Sequence, residues 1–240
     1  MKRADTVRRM TEGGIVPCWR IDDTGGLIDT AKAMADVGYE TIELTLTMPG
    51  ALRLVERAAA ELPPTVAIGV GTVLDAATAR LAILAGANYL VAPAFIPEVI
   101  ATAHRYDVAV AAGAFTPTEI FNARSLGADV IKLYPAGQLG LGALRDLTGV
   151  FPGIRTVASG GVRLAEIADW IASGTDAVVI GAPQFALAEY TRRDHAAMAR
   201  IAKRLLAMAT EGRDPERRRR LAAEGLARFA ELPPERAAAR

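Results

Sequence analysis

Eight short runs rich in β-branched and other apolar residues recur along most of this chain, and that recurrence constrains its fold more than any other feature. They cover residues 15–19, 41–46, 66–70, 89–91, 108–111, 130–133, 155–158 and 177–180. Their starts are spaced roughly 19 to 26 residues apart, enough for a strand and a helical return. Between them lie alanine-rich segments with helical spacing, such as Leu27, Ala31, Met34 and Ala35, then Leu81, Leu84 and Ala85, then Ile96, Val99, Ile100 and Ala103. Gly38, Gly86, Gly127 and Gly174 each follow such a segment, where a left-handed cap turns the chain back without a Cβ clash. Thr116-Pro117-Thr118-Glu119 marks a helix start, with a capping threonine, a first-turn proline and a glutamate three residues on, and Thr72 with Asp75 is a looser version. Strand, helix, strand repeated in this way predicts an α/β fold, a closed (β/α)8 barrel with parallel strands and right-handed crossovers. An open doubly wound sheet competes, but an early GxGxxG is absent and Gly69-Val70-Gly71 lacks the third glycine.

Beyond Gly181 the chain turns helical and more charged, with residues 190–209 reading as one helix, 211–215 as a break, and a last helix starting at Asp214. The barrel is therefore assigned to residues 1–210 and a helical C-terminal extension to 211–240. The Arg217 to Arg220 run sits in a segment with eight arginines and six acids, so it reads as a solvated helix face and not as a nucleic-acid patch. Leu221, Leu226 and Phe229 fall on one side of that helix. A formal net charge of +1 lacks the basic excess of a nucleic-acid footprint, which leaves small molecules or copies of the chain itself as partners. No stretch reaches the roughly 18 apolar residues of a membrane helix, and the opening residues lack the apolar core of a secretory signal. One cysteine, Cys18, forms no intrachain disulfide, and two histidines add little to a zinc site, so the chain reads as cytoplasmic, with no metal expected.

The sequence has only four lysines, Lys2, Lys32, Lys132 and Lys203, and 24 arginines. Lys132 alone stands inside a run that reads as a buried strand, with Ile131 and Leu133 turned to the helices and Lys132 to the barrel interior. Desolvation favours a neutral amine, the form that attacks a carbonyl to make a Schiff base. A lysine plugging the barrel end against a carboxylate is the bland alternative. Glu43 lies on the same face of its run as Thr45, so it also points inward, where it can move protons for imine chemistry or simply pair with a cation. Ser159-Gly160-Gly161 after the seventh run and Gly181 after the eighth stand where barrels bind phosphate with backbone N–H groups.

Seven segments in order carry a likeness to a known family: IVPCWR ending at Arg20, IELTLTMPGA from Ile42, GVGTVL from Gly69, AGANYLVAP ending at Pro93, AGAFTPTE from Ala112, IKLYPA from Ile131 and VASGGV from Val157. Over residues 15 to about 187 the chain resembles the 2-keto-3-deoxy-6-phosphogluconate and 4-hydroxy-2-oxoglutarate aldolases, class I enzymes on a (β/α)8 barrel that commonly form trimers. The resemblance implies that Lys132 forms the Schiff base and Glu43 is the general acid/base. It further implies that Arg20, Thr72, Pro93 and Thr116 line the keto-acid site, that Ser159, Gly160, Gly161 and Gly181 line a distal phosphate site, and that no cofactor is needed. Thr47 stands where many members carry a carboxylate-binding arginine and others a threonine. Ala182 replaces the usual phosphate-binding serine, and Pro183 removes another donor, which predicts weaker phosphate recognition. Ala112 replaces a common proline, and Gly137 with Gln138 a more acidic stretch. A non-catalytic keto-acid-binding or assembly barrel, and a phosphosugar isomerase, are the competing functions.

Overall fold

The computed structural model describes residues 1–181, 184 and 186–224. Eight parallel strands close in chain order into a barrel: β1 (Ile15–Trp19), β2 (Thr41–Thr45), β3 (Ala67–Gly71), β4 (Tyr89–Val91), β5 (Ala109–Ala114), β6 (Val130–Leu133), β7 (Thr156–Ser159) and β8 (Ala177–Gly181), with β8 pairing back onto β1. This is the closed barrel expected from the sequence, and it excludes the open doubly wound sheet. Each run predicted from sequence becomes a strand, with small shifts at the ends; β5 reaches Ala114 because Ala112, Gly113 and Ala114, too small to read as strand formers, are buried in the ladder.

The helices are α1 (Arg3–Glu12), α2 (Leu27–Ala35), α3 (Ala51–Glu61), α4 (Ala76–Leu84), α5 (Pro97–Arg105), α6 (Pro117–Ser125), α7 (Ala136–Val150), α8 (Ile167–Ala172), α9 (Leu187–Thr191), α10 (His195–Glu211) and α11 (Pro215–Ala223). Gly140, at φ 72°, kinks α7. Thr116 and Glu119 form the expected reciprocal capping box on α6. Three expectations need correction. The segment 190–209 is not one helix: Arg193 takes φ 57° and Asp194 then caps α10 by accepting from the Ala197 N–H at 2.8 Å. Asp75 alone caps α4, while Thr72, at φ 63°, belongs to the turn before it. Leu81 and Leu84 do not face the core; they are 50% and 65% exposed, and α4 buries Ala79 and Ala82 instead. A 3₁₀ turn, Leu164–Glu166, leads into α8. Asp214 caps α11 as expected, and Leu221 packs against Ala172; Leu226, Phe229, Ala182 and Pro183 lie outside the described residues.

Alternation along the strands separates two cores. Outward side chains such as Ile42, Leu44, Leu90 and Leu133 join the apolar layer under the helices. Inward ones, among them Val16, Ala67, Tyr89, Ala109, Val130, Val157 and Val179, fill the barrel together with Val7 and Met10 of α1. Helix α1 was not anticipated from sequence. It closes the end where the strands start, held by Arg3 on Asp129 just before β6 and by Arg9 on Glu40 just before β2, each ion pair 2.8 Å long. No helix among the described residues is long and apolar enough to cross a membrane.

Candidate active site

The opposite end of the barrel, where the strands finish, holds the two inward charges. Lys132 is 7% exposed and Glu43 1%. The Lys132 Nζ lies 3.9 Å from Glu43 Oε1 and 5.5 Å from the centroid of the Tyr134 ring. Register explains how both fit. Lys132 stands opposite Gly113 of β5 and Val157 of β7, and Glu43 stands opposite Cys18 of β1 and Gly69 of β3. A Cβ on Gly71 would run into the Glu43 carboxylate, and one on Gly69 into the Tyr89 ring. The GVG stretch is therefore packing space for two large inward side chains, not a phosphate cradle. Below the carboxylate, the Tyr89 hydroxyl donates to the Ile42 carbonyl at 3.1 Å, and burial pushes its phenol pKa well up.

The Glu43 carboxylate is asymmetric. Its Oε1 accepts from the Cys18 thiol at 3.4 Å and faces Lys132, whereas Oε2 is buried with no hydrogen-bond partner among the described residues. Such an oxygen is costly in a purely structural ion pair and available in a site that moves protons.

Arg20, just past β1, reaches across the rim. Its guanidinium donates to the Thr47 hydroxyl at 3.0 Å and to the Thr72 hydroxyl at 3.1 Å, and Thr47 in turn lies 3.0 Å from Thr45. The two threonines aim a guanidinium that retains further donors for a planar carboxylate. Pro93, after β4, rests on Gly113, where any Cβ would collide with the proline backbone. Thr116 is exposed, with its hydroxyl committed to Glu119, and no hydrogen bond joins it to the other site residues among those described.

Ser159 is buried at the end of β7, and Gly160 and Gly161 follow at φ 80° and 78°, a conformation that disfavours a side chain. The Gly160 carbonyl accepts from Gly137 N–H at 2.8 Å, and a Cβ on Gly160 would lie 2.7 Å from the Tyr134 ring. Tyr134 thus spans the space between Lys132 and the glycine pair. Gly181 ends β8 beside Cys18. Sequence reasoning missed Cys18 and Tyr134 as members of this group; the inward parity of Val16 and Cys18 and the position of Tyr134 two residues past Lys132 were the available signals.

A closed (β/α)8 barrel with an amine and a carboxylate sealed together at the strand ends is the architecture of a barrel enzyme equipped for carbonyl chemistry. Known proteins narrow this class. A family model described as KDPG and KHG aldolase matches residues 7–202. The 2-dehydro-3-deoxy-phosphogluconate aldolase of Pseudomonas aeruginosa is 34% identical over 212 residues, 88% of this chain and 95% of that protein. A probable 2-dehydro-3-deoxy-6-phosphogalactonate aldolase of Rhizobium meliloti is 33% identical over 150 residues, 62% of this chain and 71% of that one. The crystal structure of the 2-keto-3-deoxy-6-phosphogluconate aldolase of Zymomonas mobilis ZM4 with 3-phosphoglycerate matches with a TM-score of 0.76 and 25% identity, over 86% of this chain and 97% of that one. The chain belongs to the KDPG and KHG aldolase family, whose members are class I aldolases.

Proposed function

We propose that the chain cleaves a 2-keto-3-deoxy sugar acid, free or 6-phosphorylated, to pyruvate and an aldehyde, glyceraldehyde 3-phosphate or similar, through a Schiff base on Lys132. The observation that carries this reading is the buried Lys132–Glu43 pair, 3.9 Å apart, with one carboxylate oxygen unpartnered. Lys132, as the free amine, attacks the C2 ketone, and loss of water gives an iminium. The iminium withdraws the electrons of the C3–C4 bond as Glu43 takes the C4 hydroxyl proton; the aldehyde leaves and an enamine remains. Glu43 returns the proton to C3, and water releases pyruvate. The imine is the electron sink, so the reading includes no metal or cofactor.

Arg20, oriented by Thr47 and Thr72, holds the substrate carboxylate, with Pro93 and Thr116 as further lining of that end. Ser159, Gly160, Gly161 and Gly181 receive the phosphate. The Zymomonas relative, crystallised with 3-phosphoglycerate, supports a phosphate-accepting end. Exposed apolar side chains, Leu74, Leu81 and Leu84 on or just before α4 and Phe115 and Phe121 on or just before α6, support burial against other copies, and a homotrimer is the assembly proposed. A lone cysteine fits the reducing cytoplasm in which this enzyme would act. The test is pyruvate release from phosphorylated and free keto-deoxy acids, together with borohydride reduction in the presence of pyruvate. One lysine, Lys132, should gain the mass of a reduced pyruvate adduct; labelling at another lysine would remove the assignment.

A further inference from the structure

Glu43 must accept a proton at one moment and deliver it to a carbon at the next, so which of its oxygens is free, and what fixes that choice, bear on the rate. Oε1 is hemmed in on three sides: by the Cys18 thiol at 3.4 Å, by Lys132 at 3.9 Å, and by the backbone of Gly71, where a Cβ would overlap it. Oε2 is buried and has no partner among the described residues. Cys18 is a β1 residue paired in register with Glu43 on one side and Gly181 on the other, so the strand ladder sets the thiol's position. A carboxylate at the end of a flexible glutamate side chain could otherwise rotate and exchange its oxygens.

We propose that Cys18 is a positioning residue for the aldolase reaction: its S–H holds Glu43 Oε1 and so fixes the orientation of the carboxylate that exchanges the proton beside Lys132. The inference rests on the proposed function and adds the group that orients its acid/base. Burial and the neighbouring Glu43 push the thiol pKa well up, which keeps Cys18 protonated and therefore a donor. In the proton-return step, the enamine C=C electrons form the new bond from C3 to the proton leaving the Glu43 carboxyl group. The nitrogen lone pair re-forms the C=N bond of the iminium, and Glu43 is left as the carboxylate. Throughout, the Cys18 S–H remains on Oε1 and is neither consumed nor oxidised.

Exchange of the pyruvate C3 protons with deuterated water isolates this step, since it needs imine formation and Glu43 but no aldehyde. Cys18→Val keeps an apolar, compact side chain and removes the donor; Cys18→Ser keeps a donor. The valine variant should slow exchange by about tenfold, part of the roughly 10²- to 10⁴-fold effect of a positioned acid/base. Its borohydride trapping and its KM should stay within about twofold of wild type, and serine should restore at least half of the lost rate. Exchange in the valine variant equal to wild type, or a serine variant no faster than valine, would overturn the positioning role. Circular dichroism identifies a variant that fails to fold, in which case Cys18→Ala against Cys18→Ser provides the same comparison. Wild-type protein that neither traps pyruvate nor exchanges it would overturn the aldolase reading itself, and this inference with it.

Discussion

The two ends of this barrel are lined by the same eight strands and filled in opposite ways. At the end where the strands start, α1 inserts Val7 and Met10 into the interior, and the charges there, Arg3 with Asp129 and Arg9 with Glu40, pair outside the apolar plug. At the end where they finish, a cation and an anion are themselves inside, 3.9 Å apart, beside glycines that leave them room. Apolar filling stabilises through buried area. A buried ion pair is a poor source of stability, because desolvating both charges offsets most of their attraction. The difference separates the tasks: one end holds the barrel shut, and the other gives up stability to place an amine and a carboxylate together.

That separation can be broken at either end. Lys132→Arg retains a cation beside Glu43 but supplies no neutral amine, since a guanidinium is effectively always protonated. Turnover should fall by about 10⁴-fold or more and borohydride labelling should vanish, with the far-ultraviolet circular dichroism unchanged. Glu43→Gln should lower turnover by roughly 10²- to 10⁴-fold while imine trapping persists, because the lysine remains able to attack. Unchanged turnover would reduce Glu43 to a counter-ion. At the other end, Met10→Ala should cost about 2–5 kcal/mol of stability in urea unfolding and leave kcat/KM within about twofold. Large loss of activity in folded Met10→Ala protein would show that the plug and the site are coupled.

Legibility in the sequence followed the same division, region by region. Strands were readable because β-branched runs such as 130–133 have a period and bounded ends, and helix starts because Thr116 and Glu119 occupy capping spacing. Lys132 and Glu43 were readable by contradiction, as charges at inward positions of buried strands. Helix α1 was not, since arginines and acids make up half of its ten residues and only Val7 and Met10 betray a side that enters the barrel. Leu81 and Leu84 misled for the converse reason: helical spacing marks an apolar stripe, but their exposure shows that it does not face this chain's own core. Cys18 escaped because small β1 residues carry no polarity signal; its role depends on register with Glu43, which only the closed barrel fixes. The Gly69–Gly71 spacing, which lacks the third glycine of a dinucleotide fingerprint, has a packing cause.

The smallest expected effect comes from Cys18 titrating in the unfolded chain. Burial and the adjacent Glu43 raise its thiol pKa well above the ordinary value in the folded protein. Unfolded, the thiol titrates near the ordinary value of about 8.5. Below that pH both states keep the proton and Cys18 contributes nothing to the pH dependence of folding. Above it the unfolded chain binds fewer protons than the native one, so stability falls with rising pH until the folded thiol also ionises. The loss approaches about 1.4 kcal/mol per pH unit from this one group. Tyrosines with raised pKa, Tyr39 and Tyr89, add a similar trend only at higher pH. Urea unfolding between pH 8 and 10, wild type against Cys18→Val, removes their common contribution. The valine variant should lose less stability across that window, and iodoacetamide should label native wild-type protein far more slowly than unfolded protein at pH 8.5. Parallel pH curves with rapid native labelling would mean that the thiol ionises freely at the mouth of the barrel, and the contrast between a charge-placing end and an apolar end would lose the donor that orients it.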